Sequence, residues 1–451
     1  MRFSLPLKAL AVLGLALLLL IPLGMTQGIV ESRNQRQMET ETQVARLTAA
    51  PQTLVGPLLV IPYSLEVKRT EKNEKSGEWQ EVWEEVQQER CLVPKDLQFD
   101  GSVQIEARRR GLYRTQVYRV NGPIKGLFTM EAQGGIRPGR NLKLGTPYLS
   151  LGISDPRGIL NRVPLTLEGR SYAFLPGTRR AYPGTGIHVP LPDLDLAHAR
   201  GLSFEIPLEV MGTRSLHLAP IADETRVTLQ GAWPAPSFEG GFAPVDRAWS
   251  SQGFSAQWKI PHLSRDLDTL LKGGADATAQ HFGVAFIDPV NIYLQSERAA
   301  KYGFLFILLT FGAFLLREVL RALPLHPVQY LLVGMALAIF FLLLLSLSEH
   351  LGFPLAYTVA TVSNLALLGA YLAGALRNRR ETLLFTGGLA LLYAALYGLL
   401  ASEDNALLLG SLLLFALLAG VMIGTRHMDW KKASEPPSAL PPVPSTPVTE
   451  A

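Results

Sequence analysis

Apolar and polar positions follow two different patterns along the chain, and the change between them divides it into segments. Residues 5–25, "LPLKALAVLGLALLLLIPLGM", are apolar almost without break, and Lys8 is their only charge. That length suits a spanning helix of about 20 residues, and a lysine near one end can reach back to the interface. A cleaved signal peptide would end in a small-residue site, and "GMTQGIVES" is a poor one. The pattern therefore predicts an N-terminal transmembrane anchor over 1–27. Residues 28–48 contain no proline and, past Gly28, no glycine. They predict a helical stalk over 28–50, ended by Pro51. Five more apolar runs follow much later, at 302–320, 328–348, 353–376, 382–401 and 406–424. Each is long enough to cross a bilayer, and their short connections make them an antiparallel series of helices, which satisfy their own backbone groups in lipid. A five-helix transmembrane bundle is expected over 301–425.

Between these regions, over 51–300, the period changes. Runs such as "LLVIPYSLEV", "VQIEA", "TQVYRV", "SFEIPLEV" and "TRVTLQG" alternate apolar and polar residues between glycines and prolines, which is the signature of strands. "HLSRDLDTLLKG" alone suggests a short helix, and "KRTEKNEKSGEWQEVWEEVQQER" suggests a solvated hairpin. The expected fold class is an α+β membrane protein. It has six transmembrane helices, arranged one plus five, with a large extracytoplasmic all-β, sandwich-like domain between the first and second. Residues 426–451 are rich in proline and serine and predict a disordered cytoplasmic tail.

Charge adds an orientation. Arg2 and Lys8 flank the first span, Arg317 and Arg321 end the second, Arg377, Arg379 and Arg380 follow the fourth, and Arg426, Lys431 and Lys432 follow the sixth. The two intervening turns, "SLSEHLGFP" and "ASEDNA", carry no lysine or arginine. Six crossings put every basic position on one side, which the positive-inside rule makes the cytoplasm. Both termini are then cytoplasmic in a multi-pass inner-membrane protein, and the β domain is periplasmic in a Gram-negative cell. The net charge of +4 over 451 residues gives no reason to expect a nucleic-acid partner.

Candidate chemistry is sparse. The chain has no G-x-S-x-G elbow, no Walker A loop and no H-E-x-x-H, and its one cysteine, Cys91, cannot form an internal disulfide. The eight histidines are scattered singly, away from metal-ligand spacing. No catalytic residue, metal site or cofactor is expected. In "SDPRGIL", Asp155 and Arg157 form a candidate binding loop, with the arginine offered to an anion; the alternative is a plain Asp-Pro turn. "RRRGLYR" gathers Arg108, Arg109, Arg110 and Arg114, either facing anionic headgroups or polymer or protecting a strand edge. Asn364 is the one strongly polar side chain deep in a span, a candidate for an intramembrane hydrogen bond. No acidic residue lies at mid-membrane depth, which argues against an ion-coupled transporter. Glu349 and His350 fall in the outer turn after the third span. They are candidates for docking the β domain onto the bundle, with a solvated turn as the alternative.

Several stretches together resemble a known family. "QTLVGPLLVIPY", "RRGLYRTQVY", "GISDPRGI", "GAWPAPSFEGGFAPVDR" and "LHPVQYLLVGMALAIFFLLLLSLSEHLGF" are similar to the CreD family of bacterial inner-membrane, cell-envelope integrity proteins. The likeness runs from the first span to about residue 376. It implies a process, envelope integrity and stress response under a two-component system, and supplies no catalytic residues. The expected function is a non-enzymatic inner-membrane protein whose periplasmic β domain binds a periplasmic protein, lipid or envelope polymer, with the lipid bilayer as its constant partner. Two alternatives stand beside it. One is an insertase or chaperone of YidC-type layout, weakened by the lack of a basic residue in 303–316. The other is a lipid-handling transporter.

Overall fold

A computed structural model describes residues 5–72, 79–288, 292–321, 326–376, 378–402 and 406–426. The tail beyond Arg426, the turn residues Glu403 and Asp404, and the basic residues Arg2, Arg377, Lys431 and Lys432 lie outside these. The chain forms two compact units, one of residues 1–36 and 290–451, the other of residues 37–289. It begins with two consecutive helices, α1 (Leu5–Leu18) and α2 (Leu20–Leu47), the second continuing through the expected stalk.

The second unit is built from strands. In chain order they are β1 (Gln52–Lys72), β2 (Trp79–Leu92), β3 (Asp96–Arg110), β4 (Tyr113–Met130), β5 (Lys143–Leu144), β6 (Tyr148–Ile153), β7 (Pro164–Leu167), β8 (Arg170–Ala173), β9 (Leu175–Pro176) and β10 (Gly186–Pro190). There follow β11 (Arg200–Thr213), β12 (Ser215–Leu218), β13 (Glu224–Gly231), β14 (Pro236–Gly240), β15 (Asp246–Ser250), β16 (Gly253–Pro261) and β17 (Phe282–Phe286). Two short helices, α3 (Leu267–Lys272) and α4 (Ala275–Ala279), precede β17. The strands form a nine-stranded sheet, ordered β14-β17-β12-β1-β6-β10-β9 with β2 and β5 also on β1, and an eight-stranded sheet, ordered β15-β16-β13-β3-β4-β11-β7-β8. Their inner faces share one core, in which Leu59, Leu149 and Phe282 from the first sheet meet Phe99, Phe128 and Trp258 from the second. Strands such as β11 and β16 alternate buried and exposed residues, as a sheet with one solvated face requires. β6, "YLSLGI", is buried on both faces. Its outer side packs under Leu270 of α3 and Ala219 and Ile221, which explains why its sequence does not alternate. The β1–β2 hairpin is solvated as expected: Trp79, Val82 and Trp83 are exposed, and Arg140 lies 4.4 Å over the Trp83 ring.

The helical unit continues with α5 (Ile292–Arg321), α6 (Pro327–Leu351), α7 (Phe353–Leu376), α8 (Arg379–Ala401) and α9 (Ala406–Thr425). Among the described residues, five helices are long and apolar enough to cross a membrane, over Lys8–Leu47, Ile292–Glu318, Pro327–Leu351, Phe353–Ala375 and Arg379–Ala401. α9 is a further apolar helix. α5 begins at Ile292, ahead of the apolar run at 302, because its first turns carry Gln295, Glu297, Arg298 and Lys301 and give no hydropathy signal. Pro327 at the first turn of α6 and a capping box from His326 and Gln329 set its start, and Asn378 caps α8 by accepting from the Arg380 N–H. The interior is aromatic: Tyr393 meets Phe306 and Phe340 at ring-centroid distances of 4.6 and 4.7 Å, and the Tyr357 hydroxyl donates to the Tyr393 carbonyl at 2.7 Å. Leu10, Leu17, Ile339, Val362, Leu391 and Phe415 point outward. Apolar side chains inside and outside alike are the mark of helices solvated by lipid.

Candidate functional site

The most connected polar site in the β unit surrounds Asp155. The turn before it follows β6, and a short 3-10 turn, Pro156–Gly158, follows it. Gly158 lies so close to β11 that a Cβ there would fall 2.2 Å from the Met211 carbonyl and 2.5 Å from Gln52 Nε2, so only glycine fits. Asp155 Oδ2 accepts from the Ala50 N–H at 2.9 Å and from Arg157 Nη2 at 2.6 Å. Oδ1 accepts from Arg157 Nε at 2.9 Å and from the Arg157 N–H at 3.2 Å. Arg157 Nη1 donates to the Arg46 carbonyl at 2.8 Å, in the last turn of α2, where a cation answers the helix's unsatisfied carbonyls. Gln52 Nε2 donates to the carbonyls of Asp155 and Met211 at 2.9 and 3.0 Å. The Arg157 guanidinium, joined by the Ala50 N–H, holds the Asp155 carboxyl down at about 2. Asp155 and Arg157, read from the sequence as a binding loop or an Asp-Pro turn, form a clasp that fastens the end of α2 to β1, β6 and β11.

A second polar group joins β2, β6 and the loop between β9 and β10. Arg180 Nη1 donates to Cys91 Sγ and reaches Glu89 at 3.4 Å, and the Tyr148 hydroxyl donates to Glu89 at 3.1 Å. Burial pushes the Cys91 thiol up, which keeps it protonated and unreactive. Tyr182 and His281 share a hydrogen bond at 3.3 Å. Burial lowers His281, with His217 adding to the effect, and burial likewise lowers His217. Among the described residues, no three His, Cys, Asp or Glu side chains group to hold a metal ion.

In the helical unit, charged and polar side chains tie helices together. Lys8 meets Glu318, which also accepts from the Tyr330 hydroxyl at 3.2 Å. Arg317 Nε donates to Glu381 at 2.6 Å and its guanidinium lies 5.4 Å over the Phe385 ring. Asn364 Nδ2 donates to the Ala336 carbonyl at 2.6 Å, joining α7 to α6. The Glu349 side chain is 7% exposed and accepts from the Tyr293 hydroxyl at 3.3 Å, with Arg33 Nε at 3.4 Å; His350 beside it is exposed. Both partners of Glu349 belong to this same unit.

A family model described as "Inner membrane protein CreD" matches residues 4–431. Inner membrane protein CreD of Escherichia coli (strain K12) is 35% identical over 436 residues, covering 95% of this chain and 94% of its own. The chain belongs to the CreD family. With its apolar helices, it is a multi-pass inner-membrane protein of that family. A solved structure of yeast LTA4 hydrolase in complex with bestatin covers 78% of the CreD-family chain and 69% of its own at 9% identity, but its TM-score of 0.21 carries no argument.

Sequence reasoning on this CreD-family chain missed the partners of its charged residues. Glu318 with Lys8 and Glu381 with Arg317 are opposite charges at the ends of apolar runs, and Arg33, in the polar stretch of α2, meets Glu349 at the end of another. Matching sign and depth between run ends would have found the first two. Tyr293 stands in a polar stretch with no periodic signal and gave no such clue.

Proposed function

We propose that the chain is a non-enzymatic inner-membrane protein that supports envelope integrity, with its β unit outside the cytoplasm and both termini inside. The observation that carries this reading is the content of the β unit. It is a large two-sheet sandwich whose best-built polar site, around Asp155, is committed to internal structure rather than left open for substrate. The orientation rests on the placement of lysine and arginine at alternate turns. The resemblance to a named inner-membrane protein over nearly its full length supports the location. The β unit binds a periplasmic protein, lipid or envelope polymer in this reading, and the helices anchor it.

The test has two parts. Single cysteines placed at Asp100 and at Arg426, in a Cys91→Ala background, are probed in intact cells with a membrane-impermeant thiol reagent. Labelling at position 100 alone is expected; labelling at 426 alone would invert the topology. Deleting the gene is expected to sensitise cells to detergent, and unchanged sensitivity would count against the role.

A further inference from the structure

β3 and β4 do not stop where their sheet stops. β13 pairs with β3 as far as Val103, and β11 pairs with β4 as far as Val117. Beyond these points β3 and β4 continue as a two-stranded arm, with Ala107 opposite Gln116, Arg108 opposite Thr115, Arg109 opposite Arg114 and Arg110 opposite Tyr113. Gly111 and Leu112 close the arm. Gly111 has φ +62°, the sign that a type II′ turn needs at its first central position.

The tip carries an unbalanced charge. Arg108, Arg109, Arg110 and Arg114 are exposed, and none has a carboxylate within 4.0 Å among the described residues. Arg109 and Arg114 face one another across the strands, and like charges in that position are destabilising. Charges do protect strand edges, but one on each strand would suffice, and edge protection gives no reason for Leu112 at the very end, 40% exposed. Arginines around an exposed leucine are what a bilayer surface takes up. Guanidinium groups bind phosphate oxygens in pairs, and the leucine enters the acyl boundary.

The arm also projects from the end of the β unit at which the chain enters and leaves. Arg214 lies at that end. Its N–H donates to the Gln116 carbonyl at 3.1 Å, its carbonyl accepts from Phe286 at 2.7 Å, and its guanidinium pairs with Glu41 of α2 at 3.1 Å. The tip lies about 10 Å beyond Gln116, three residues along the strand at about 3.3 Å each. α2 and α5, the helices on either side of the β unit, both lead into membrane spans, so the chain itself tethers the β unit to a bilayer.

We propose that the tip of this arm, Arg108–Arg114, binds anionic phospholipid headgroups at the membrane surface. A soluble polyanion would use the arginines but would leave Leu112 without a role. This proposal narrows one part of the proposed function, lipid as a ligand of the β unit, and its test reads the contact of the arm with lipid alone, so it can fail while the envelope-support role stands, and the reverse. The test uses the full-length chain carrying Cys91→Ala and Leu112→Cys, with a nitroxide at position 112, in nanodiscs of phosphatidylcholine with or without phosphatidylglycerol. Accessibility to a water-soluble nickel chelate and to oxygen reports the depth of the label.

With phosphatidylglycerol present, accessibility to nickel is expected to fall severalfold and accessibility to oxygen to rise. Salt at about 1 M, where the screening length is about 3 Å, reverses this. Each arginine changed to glutamine weakens the contact roughly fivefold, and Arg108→Gln, Arg109→Gln, Arg110→Gln and Arg114→Gln together return the label to water. The lipid comparison and the salt series use the parent arm, so they decide even where the fourfold variant does not fold. A label equally exposed in both nanodiscs overturns the proposal. So does shielding that the fourfold variant, folded, retains, or shielding by added polyphosphate over neutral lipid but not by phosphatidylglycerol.

Discussion

Replacing Asp155 with asparagine removes the charge at the centre of the clasp while keeping its size. Asp155 is 8% exposed, and the Arg157 guanidinium with the Ala50 N–H brings its carboxyl from 3.8 to about 2. At 1.36 kcal/mol for each pH unit, that drop corresponds to about 2.5 kcal/mol of stability at neutral pH. The Arg157 side chain is 56% exposed, so solvent screening brings the expected loss to about 1–2 kcal/mol. The sign follows from the depressed pKa. The contribution is complete above pH 3.8 and disappears as the pH falls through about 2, so a comparison at pH 7 reads all of it. The loss should be local, because the bonds that go hold the end of α2 against β1, β6 and β11. Hydrogen exchange by mass spectrometry on the full chain in detergent measures this directly. Peptides covering residues 46–54 and 153–160 should exchange about 5–30 times faster in Asp155→Asn, the factor that 1–2 kcal/mol implies, while peptides from β13 and β16 stay as they were. Unchanged exchange at 46–54 would refute the clasp. Equal acceleration everywhere would show that the substitution acts on the whole unit.

Other contacts of the chain give three further expected outcomes. A double-mutant cycle on Arg33→Ala and Glu349→Ala, read by thermal unfolding in detergent, should give a coupling of about 0.5–2 kcal/mol for the 3.4 Å contact between them; strict additivity would mean no tie. Asn364→Leu removes the 2.6 Å bond to the Ala336 carbonyl and should cost about 0.6–2 kcal/mol in the same assay, whereas a gain in stability would mark that bond as unimportant. His217 and His281 are both held below their usual range by burial, so the unfolded chain binds more protons below about pH 6.5. Stability should therefore fall as the pH drops from 6.5 toward their folded values, and His217→Gln with His281→Gln should flatten that slope; a slope unchanged in the double variant would contradict it.

The membrane helices were legible because a bilayer accepts few solutions. Runs of about 20 apolar residues can only be helices there, and the apolar helices occupy the predicted stretches. The strands of the β unit were legible where one face is solvated, as in "SFEIPLEV", and less so in "YLSLGI", where Leu270 and its neighbours cover the outer face and erase the alternation. Strand pairing was not legible. β1 lies beside β12 in parallel although more than a hundred residues separate them, and no local pattern encodes such a neighbour. The turn chemistry of "SDPRGIL" could be read, but not the partners of Asp155 and Arg157, since Arg46 and Ala50 become neighbours only when α2 ends against the sandwich. Glu349 was legible as a charge at a span end. Its partners Arg33 and Tyr293 come from two other helices, and their identity depends on packing.

The central claim is that the β unit, not the helices alone, supports the envelope. Uptake of a hydrophobic dye by intact cells tests it most directly, comparing a strain lacking the gene, the same strain supplied with the full chain, and the same strain supplied with a chain in which a flexible linker replaces residues 52–286. Membrane insertion of the shortened chain is confirmed by fractionation. The account predicts raised uptake in the deletion strain, normal uptake with the full chain and raised uptake with the shortened one. Normal uptake with the inserted, shortened chain would contradict it.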